Sequence, residues 1–202
     1  MRHDFIRRAA VASVLMLAAI TLASAQDKTE KVKAIRQAYA EAVEMTKIDE
    51  PHARTEMTMT LHRNLPGIGI QKRNVEFFGC AEYGEEGASF SVRLVRVSYN
   101  VAARKYYEEY LYDENGEPLF CYMRYDGFFA ETTTKEELRY YFDGRSLCSF
   151  LYKAKDADTG KEIKRNEIPE LFEMFDGSDY ADRLPEFDNY RRLFDMAMNS
   201  NL

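Results

Sequence analysis

The stretch 110–125, YLYDENGEPLFCYMRY, places two aromatic half-strands on either side of Asn115-Gly116. Asn-Gly favours a two-residue type I′ hairpin turn, because both central residues of that turn need a positive φ. The register that such a turn sets pairs Tyr110 with Cys121. The stretch therefore predicts an antiparallel hairpin with aromatic side chains on both faces.

A shorter copy of this pattern follows at 140–153, YYFDGRSLCSFLYK, with Asp143-Gly144 at its centre. If those two residues are the central pair of the turn, Phe142 lies opposite Arg145. The repeat predicts that a second hairpin follows the first in the same sheet.

The chain before this point carries the period of two that is typical of strands. Apolar and polar residues alternate over 55–62, and Pro66-Gly67 then supplies the dihedral angles of a tight turn. In 89–101 the apolar phase slips by one residue at Leu94-Val95, which indicates either a β-bulge or a strand that changes which face it buries. We count about seven strands in consecutive order, which favours an antiparallel meander.

Helical periodicity appears at both ends of the mature chain. Apolar residues recur at steps of three and four over 27–47 and again over 184–198, and a shorter helix is predicted over 168–175. Their apolar stripes need a surface to cover. The sequence therefore predicts an α+β fold in one domain, 26–202: a curved antiparallel meander with the N-terminal helix and the C-terminal helices on one face.

The first 25 residues have the three parts of a secretory signal peptide. Arg2, Arg7 and Arg8 precede an apolar run that ends at Leu22, and the small residues 23–25 form a cleavage site. The apolar run is too short to span a bilayer. We expect a periplasmic or secreted protein that begins at Gln26 and has no transmembrane segment after cleavage.

Charge and cysteine usage exclude some classes of function. The leader removes three arginines and one aspartate from a chain of net charge −6, so the mature chain carries about −8. Nucleic-acid binding draws its affinity from basic residues, so we expect no nucleic-acid partner. The spacings of Cys80, Cys121 and Cys148 fit no zinc pattern. We expect no metal and no cofactor.

The aromatic hairpin offers one candidate binding surface. If the helices cover one sheet face, the face that carries Leu111 and Phe120 stays open. That face also holds four residues with side chains suited to recognition, namely Tyr107, Glu109, Tyr122 and Arg124. Tyr107 opposite Arg124 should form a cation–π contact. We predict that these four residues bind a partner.

Three features together resemble a family of uncharacterised exported bacterial proteins. They are the secreted leader, the helix KVKAIRQAYAEAVEM, and the segment NLPGIG followed by hairpins of the YLYDENGEPLF type. The resemblance covers most of the mature chain. It implies export and an α+β fold, and it brings no catalytic residues.

Two hypotheses for function stay open at this point. The first is a non-catalytic binding module that recognises a protein, peptide or envelope component through the aromatic sheet face. The second is an extracytoplasmic hydrolase whose site combines His62 or Cys80 with a carboxylate. The surplus of Tyr and Phe favours the first hypothesis.

Overall fold

A computed structural model of the chain describes residues 26–47, 55–84, 87–129 and 132–199. Helix α1 occupies 26–45. An eight-stranded antiparallel sheet follows in chain order, with β1 Thr55–Leu65, β2 Gly69–Gly84, β3 Gly87–Val101, β4 Arg104–Tyr112, β5 Pro118–Phe129, β6 Thr132–Asp143, β7 Ser146–Asp156 and the two-residue β8 Glu162–Ile163. The chain ends with α2 Pro169–Glu173, a 3₁₀ turn Ser178–Asp182 and α3 Leu184–Met198. The predicted α+β meander is confirmed.

The aromatic hairpin has the predicted register as far as Leu111, but Tyr112 pairs with Pro118 instead of the predicted Leu119, and the turn is different. Tyr110 pairs with Cys121 as expected. Asp113 Oδ1 accepts the backbone N–H groups of Asn115 and Glu117, and of the two central residues Gly116 has the positive φ. The type I′ prediction was wrong because an aspartate that binds its own loop stabilises a longer connection.

The second hairpin differs from its predicted register. Asp143 pairs with Ser146, and Phe142 pairs with Leu147 instead of Arg145. Gly144, with φ of 59°, is therefore the first central residue of the turn, the position that a type II′ turn reserves for glycine.

The helices pack on opposite faces of the sheet, which corrects the prediction that all of them share one face. The buried side chains of α3, Phe187, Tyr190 and Phe194, join a core with alternate residues of β2 to β7. Ile35 and Ala42 of α1 pack on the other face. The physical reason lies in the strands: both of their faces carry large apolar side chains, and each face needs a cover.

A bulge lies close to the predicted phase slip. Phe78 pairs with Leu94, but Gly79 pairs with Val92, so Arg93 is the extra residue. A Cβ atom on Gly79 would lie 2.8 Å from the Phe194 ring, so the glycine lets α3 approach the strand.

Three further observations concern the sequence predictions. The predicted signal peptide, 1–25, lies outside the described residues. Within the described ranges, no helix combines the length and apolar character needed to cross a bilayer. The thiols of Cys80, Cys121 and Cys148 are free.

Candidate functional site

Side chains on the face that α1 covers lie in rows that run across the strands. The register defines an apolar row of Phe78, Leu94, Leu111, Phe120 and Tyr141. A second row, which we call the arginine row, lies two residues further along each strand and consists of Arg96, Glu109, Tyr122 and Arg139. The next step gives the middle row of Asn74, Ser98, Tyr107, Arg124 and Glu137. The last is the lysine row, with Lys72, Asn100, Lys105, Asp126, Lys135 and Lys155.

Helix α1 lies over the apolar row and crosses the strands. Near its N-terminus, Lys31 forms an ion pair with Asp143 at the end of β6, at 2.6 Å. Near its C-terminus, Met45 Sδ lies 3.8 Å from Cys80 Sγ on β2. The helix therefore runs across the sheet near one end of the strands, and the middle and lysine rows extend beyond it.

A cavity of about 580 Å³ lies between α1 and the sheet. We call it the α1 cavity; its lining residues are Ile35, Arg36, Tyr39, Val43, Arg96, Tyr107, Glu109, Phe120, Tyr122, Arg124, Arg139 and Tyr141. Apolar side chains from the helix and the apolar row line one part of it. Arginines and tyrosines line the rest, so the cavity can hold an apolar body and a polar group together.

Glu109 is buried in the wall of this cavity, and its hydrogen bonds are well satisfied. The Tyr39 hydroxyl donates to Oε2. The Tyr107 hydroxyl and Arg96 Nε donate to Oε1, at 2.6 Å and 2.9 Å. Burial, followed by the hydrogen bond to Glu109, raises the pKa of both tyrosines. Glu109 thus orients three neighbouring side chains, and its carboxylate is already occupied.

Four arginines around the cavity each lie over an aromatic ring of the sheet. The distances from guanidinium carbon to ring centroid are 5.5 Å for Arg36 on Tyr141, 5.2 Å for Arg96 on Phe78, 5.2 Å for Arg124 on Tyr107 and 5.7 Å for Arg139 on Tyr122. Contacts of this kind stabilise the cation and fix the plane of the guanidinium. Because Glu109 is the one carboxylate among the lining residues, the lining carries a positive charge.

The structure brings the four sequence-predicted site residues to this one cavity. Tyr107, Glu109, Tyr122 and Arg124 all line it, and the predicted contact of Tyr107 with Arg124 is present. The expectation of an open sheet face was wrong, because α1 covers Leu111 and Phe120 and because Glu109 is only 3% exposed. Partner binding by the four residues stays a prediction.

The sequence reasoning missed Arg36, Tyr39, Arg96 and Arg139 as residues of the site. Extending the hairpin register by one strand on each side would have placed Arg96 beside Glu109 and Arg139 beside Tyr122. The two α1 residues carried no such signal, because their location depends on which face the helix covers.

The residues of the hydrolase hypothesis lie outside this cavity. His62 is on the edge strand β1 and pairs with Lys72 of β2. Cys80 follows Gly79 of β2, which pairs with Thr55 at the opposite end of the β1–β2 ladder. In the described part of the chain, no group of three or more His, Cys, Asp or Glu residues could hold a metal ion.

A second concavity of about 670 Å³ continues from the α1 cavity along the uncovered end of the sheet. Tyr107 and Arg124 belong to the lining of both. We call this concavity the lysine groove; its charged lining residues are Lys72, Lys105, Arg124, Lys135, Lys155, Asp126 and Glu137. Five of these are basic and two are acidic, although the whole chain has a net charge of −6. The groove therefore has a local excess of positive charge on a chain that is acidic overall.

Comparison of the chain with protein-family models, with curated proteins and with solved structures gives no match. The resemblance to exported bacterial proteins stays a prediction.

Proposed function

We propose that the protein is an exported, non-catalytic binding module that holds the anionic group of a ligand in the α1 cavity. Export is supported by the leader pattern of residues 1–25, and binding is supported by the cavity. The ligand class is a carboxylate or phosphate attached to an apolar or planar body.

The arrangement of the four arginines carries this proposal. A guanidinium has five N–H donors in a rigid plane and binds carboxylate or phosphate through two parallel hydrogen bonds. Ring contacts hold Arg36, Arg96, Arg124 and Arg139 around one space. Of the four, Arg96 is committed to Glu109, and Arg139 is paired with Glu137 at the cavity rim, at 3.1 Å. Among the described residues, Arg36 and Arg124 form no ion pair, and this uncompensated positive charge supports the binding of an anion.

The apolar part of the lining determines the other half of the ligand. Ile35 and Val43 of α1 face Phe120 of the sheet across the cavity. Burial of an apolar group here would contribute about 25 cal/mol for each Å² removed from water. Inorganic phosphate or acetate alone would leave this surface unused, so we expect such ions to bind weakly.

Matched pairs of small ligands test the proposal by calorimetry and thermal melting. Phenylacetate and phenyl phosphate are the anionic probes, and phenylacetamide and benzyl alcohol are the neutral ones. We expect the anions to bind and to raise the melting temperature, because a ligand that binds only the folded state stabilises it. The neutral compounds should bind at least tenfold more weakly.

Variants connect that result to the arginines. Arg36→Gln and Arg139→Gln should each weaken the binding of the anions about five- to twentyfold, the effect of losing a charge-assisted hydrogen bond at a partly exposed site. Arg165→Gln, on an exposed loop after β8, makes the same change of charge and should have no effect. Equal binding of neutral and anionic probes, or equal binding by all three variants, would refute the proposal.

A further inference from the structure

We propose that the natural ligand is an acidic peptide in an extended conformation, with one end in the α1 cavity and its carboxylates along the lysine groove. This inference rests on the proposed function, and it names the class of ligand that the same site would take. The two concavities adjoin at Tyr107 and Arg124, which line both, so one ligand that passes these two residues can reach both.

The lysines of the groove are available to an incoming anion. In the described parts of the chain, Lys72, Lys105 and Lys155 form no ion pair, and Lys135 pairs with Asp126. Lys72, Lys105 and Lys155 are exposed. Aligned positive charges on a concave wall attract carboxylates and speed their association, an effect that salt weakens.

The dimensions of the groove fit a short extended peptide. The lysine row crosses β2 to β7, and at about 4.8 Å between neighbouring strands this is roughly 24 Å. An extended chain covers that distance with about seven residues. Lys72, Lys105 and Lys135 lie on alternate strands, so their backbones are roughly 10 Å apart, and flexible lysine stems can reach carboxylates spaced two or three residues apart.

The remaining lining favours a peptide over a nucleic acid or an acidic glycan. Asn74, Ser98 and Asn100 provide side-chain donors and acceptors that suit peptide N–H and C=O groups. The α1 cavity has an apolar section, which an apolar side chain fills and a sugar does not.

Single-stranded nucleic acids need rings on which bases can stack. Tyr99, Tyr106 and Tyr125 stack on one another, at centroid distances of 4.9 Å and 5.5 Å, and Tyr99 and Tyr125 pack against the core on the α3 side. The three residues also line the groove, but strand alternation turns their rings toward the opposite face of the sheet. The Tyr107 ring is on the groove side, and Arg124 lies over it at 5.2 Å.

Fluorescence anisotropy with a labelled synthetic peptide tests the inference. The probe carries its label at the N-terminus and has glutamate and glycine in alternation before a C-terminal phenylalanine with a free carboxylate, about eight residues in all. A second probe has glutamine in place of each glutamate. We expect the glutamate peptide to bind the mature protein, and we expect its affinity to fall at least tenfold between low and high salt. The glutamine peptide should bind at least tenfold more weakly.

Two double variants locate the binding. K72Q/K105Q removes two lysines of the groove and should weaken the glutamate peptide about five- to tenfold, the effect of two exposed ion pairs. K28Q/K33Q makes the same change of charge on the exposed side of α1 and should have no effect. Phenylacetate binds in the α1 cavity only, so its affinity should be the same in both double variants.

The possible outcomes separate this inference from the proposed function. If phenylacetate binds and Arg139→Gln weakens it, but the peptide ignores K72Q/K105Q, the inference is wrong and the proposed function stands. If the peptide depends on the lysines but not on Arg139, it occupies the groove alone and the inference is wrong. The proposed function is also wrong if phenylacetate binds Arg139→Gln and Arg36→Gln as tightly as it binds the wild type. If a single-stranded oligonucleotide or a sulfated glycan displaces the glutamate peptide at a concentration far below that of the peptide, the inference is also wrong. If neither the glutamate peptide nor phenylacetate binds, both the inference and the proposed function are wrong.

Discussion

Replacement of Arg96 tests the electrostatics on which the α1 cavity depends. The Glu109 side chain is 4% exposed, and Arg96, its partner at 2.9 Å, is 21% exposed. Removing one partner of a buried ion pair costs about 3–5 kcal/mol, because the remaining charge is left without compensation. Two tyrosine hydroxyls still donate to Glu109, and Arg96 is partly solvated. We therefore expect Arg96→Met to lower the free energy of unfolding by about 2–3 kcal/mol.

A double-mutant cycle isolates the pair from its surroundings. Glu109→Gln removes the charge and keeps much of the shape, and Arg96→Met with Glu109→Gln removes both charges together. We expect the double variant to be less destabilised than the two single variants combined, with a coupling energy of about 1–2 kcal/mol. Arg63→Met on the exposed edge strand is the control, for which a change within about 0.5 kcal/mol is expected.

Urea denaturation followed by far-ultraviolet circular dichroism measures these differences. The chain has no Trp, so the usual change in tryptophan fluorescence is absent. A total stability of about 5–15 kcal/mol for a domain of this size leaves each variant folded in buffer. Additive effects, with a coupling below about 0.5 kcal/mol, would refute the view that Arg96 holds the buried carboxylate in place.

Three further predictions concern stability. Leu111→Ala removes a fully buried side chain beneath α1 and should lower the free energy of unfolding by about 2–5 kcal/mol. Tyr122 is half-buried in the cavity wall, so Tyr122→Ala should cost clearly less. Equal shifts of the melting temperature in the two variants would show that the cavity wall is part of the core. Burial raises the folded-state pKa of Tyr39 above its unfolded value near 10. The contribution of Tyr39 to the free energy of unfolding is therefore complete below about pH 10 and is lost as the pH rises through the folded pKa. In unfolding titrations above pH 10, Tyr39→Phe should show a shallower loss of stability than the wild type. Gly79→Ala places a methyl group 2.5 Å from the Ser91 backbone oxygen and 2.8 Å from the Phe194 ring, and it should cost about 1–3 kcal/mol in urea denaturation. An unchanged midpoint would mean that β3 and α3 do not both pack closely against this glycine.

Local patterns in the sequence were sufficient for most of the sheet. The pairing of Tyr110 with Cys121 follows from the position of the turn and from the period of two, and both are local properties. The predicted partner of Phe142 was wrong. Several turn types have a residue with a positive φ at different positions, so the glycine alone does not determine which position of the turn Gly144 occupies.

The candidate site was only half predictable, for a physical reason. Tyr107, Glu109, Tyr122 and Arg124 belong to one hairpin, so its register alone assembles them. Arg36 and Tyr39 reach the site only because α1 packs on that face, and an apolar stripe on a helix does not determine which apolar sheet face it covers. Both faces of the aromatic hairpin carry aromatic side chains in the sequence, so the choice depends on the packing of the whole domain.

The order of the strands has a consequence for how the binding site comes into existence during folding. Neighbours in the sheet are neighbours in the chain from β1 to β8, so each ladder closes only a short loop, and contacts of this kind form early and rapidly. Helix α1 instead joins Lys31 to Asp143, 112 positions further along the chain. The α1 cavity therefore depends on contacts between distant parts of the chain, and we expect the capacity to bind an anion to appear after the sheet signal in refolding.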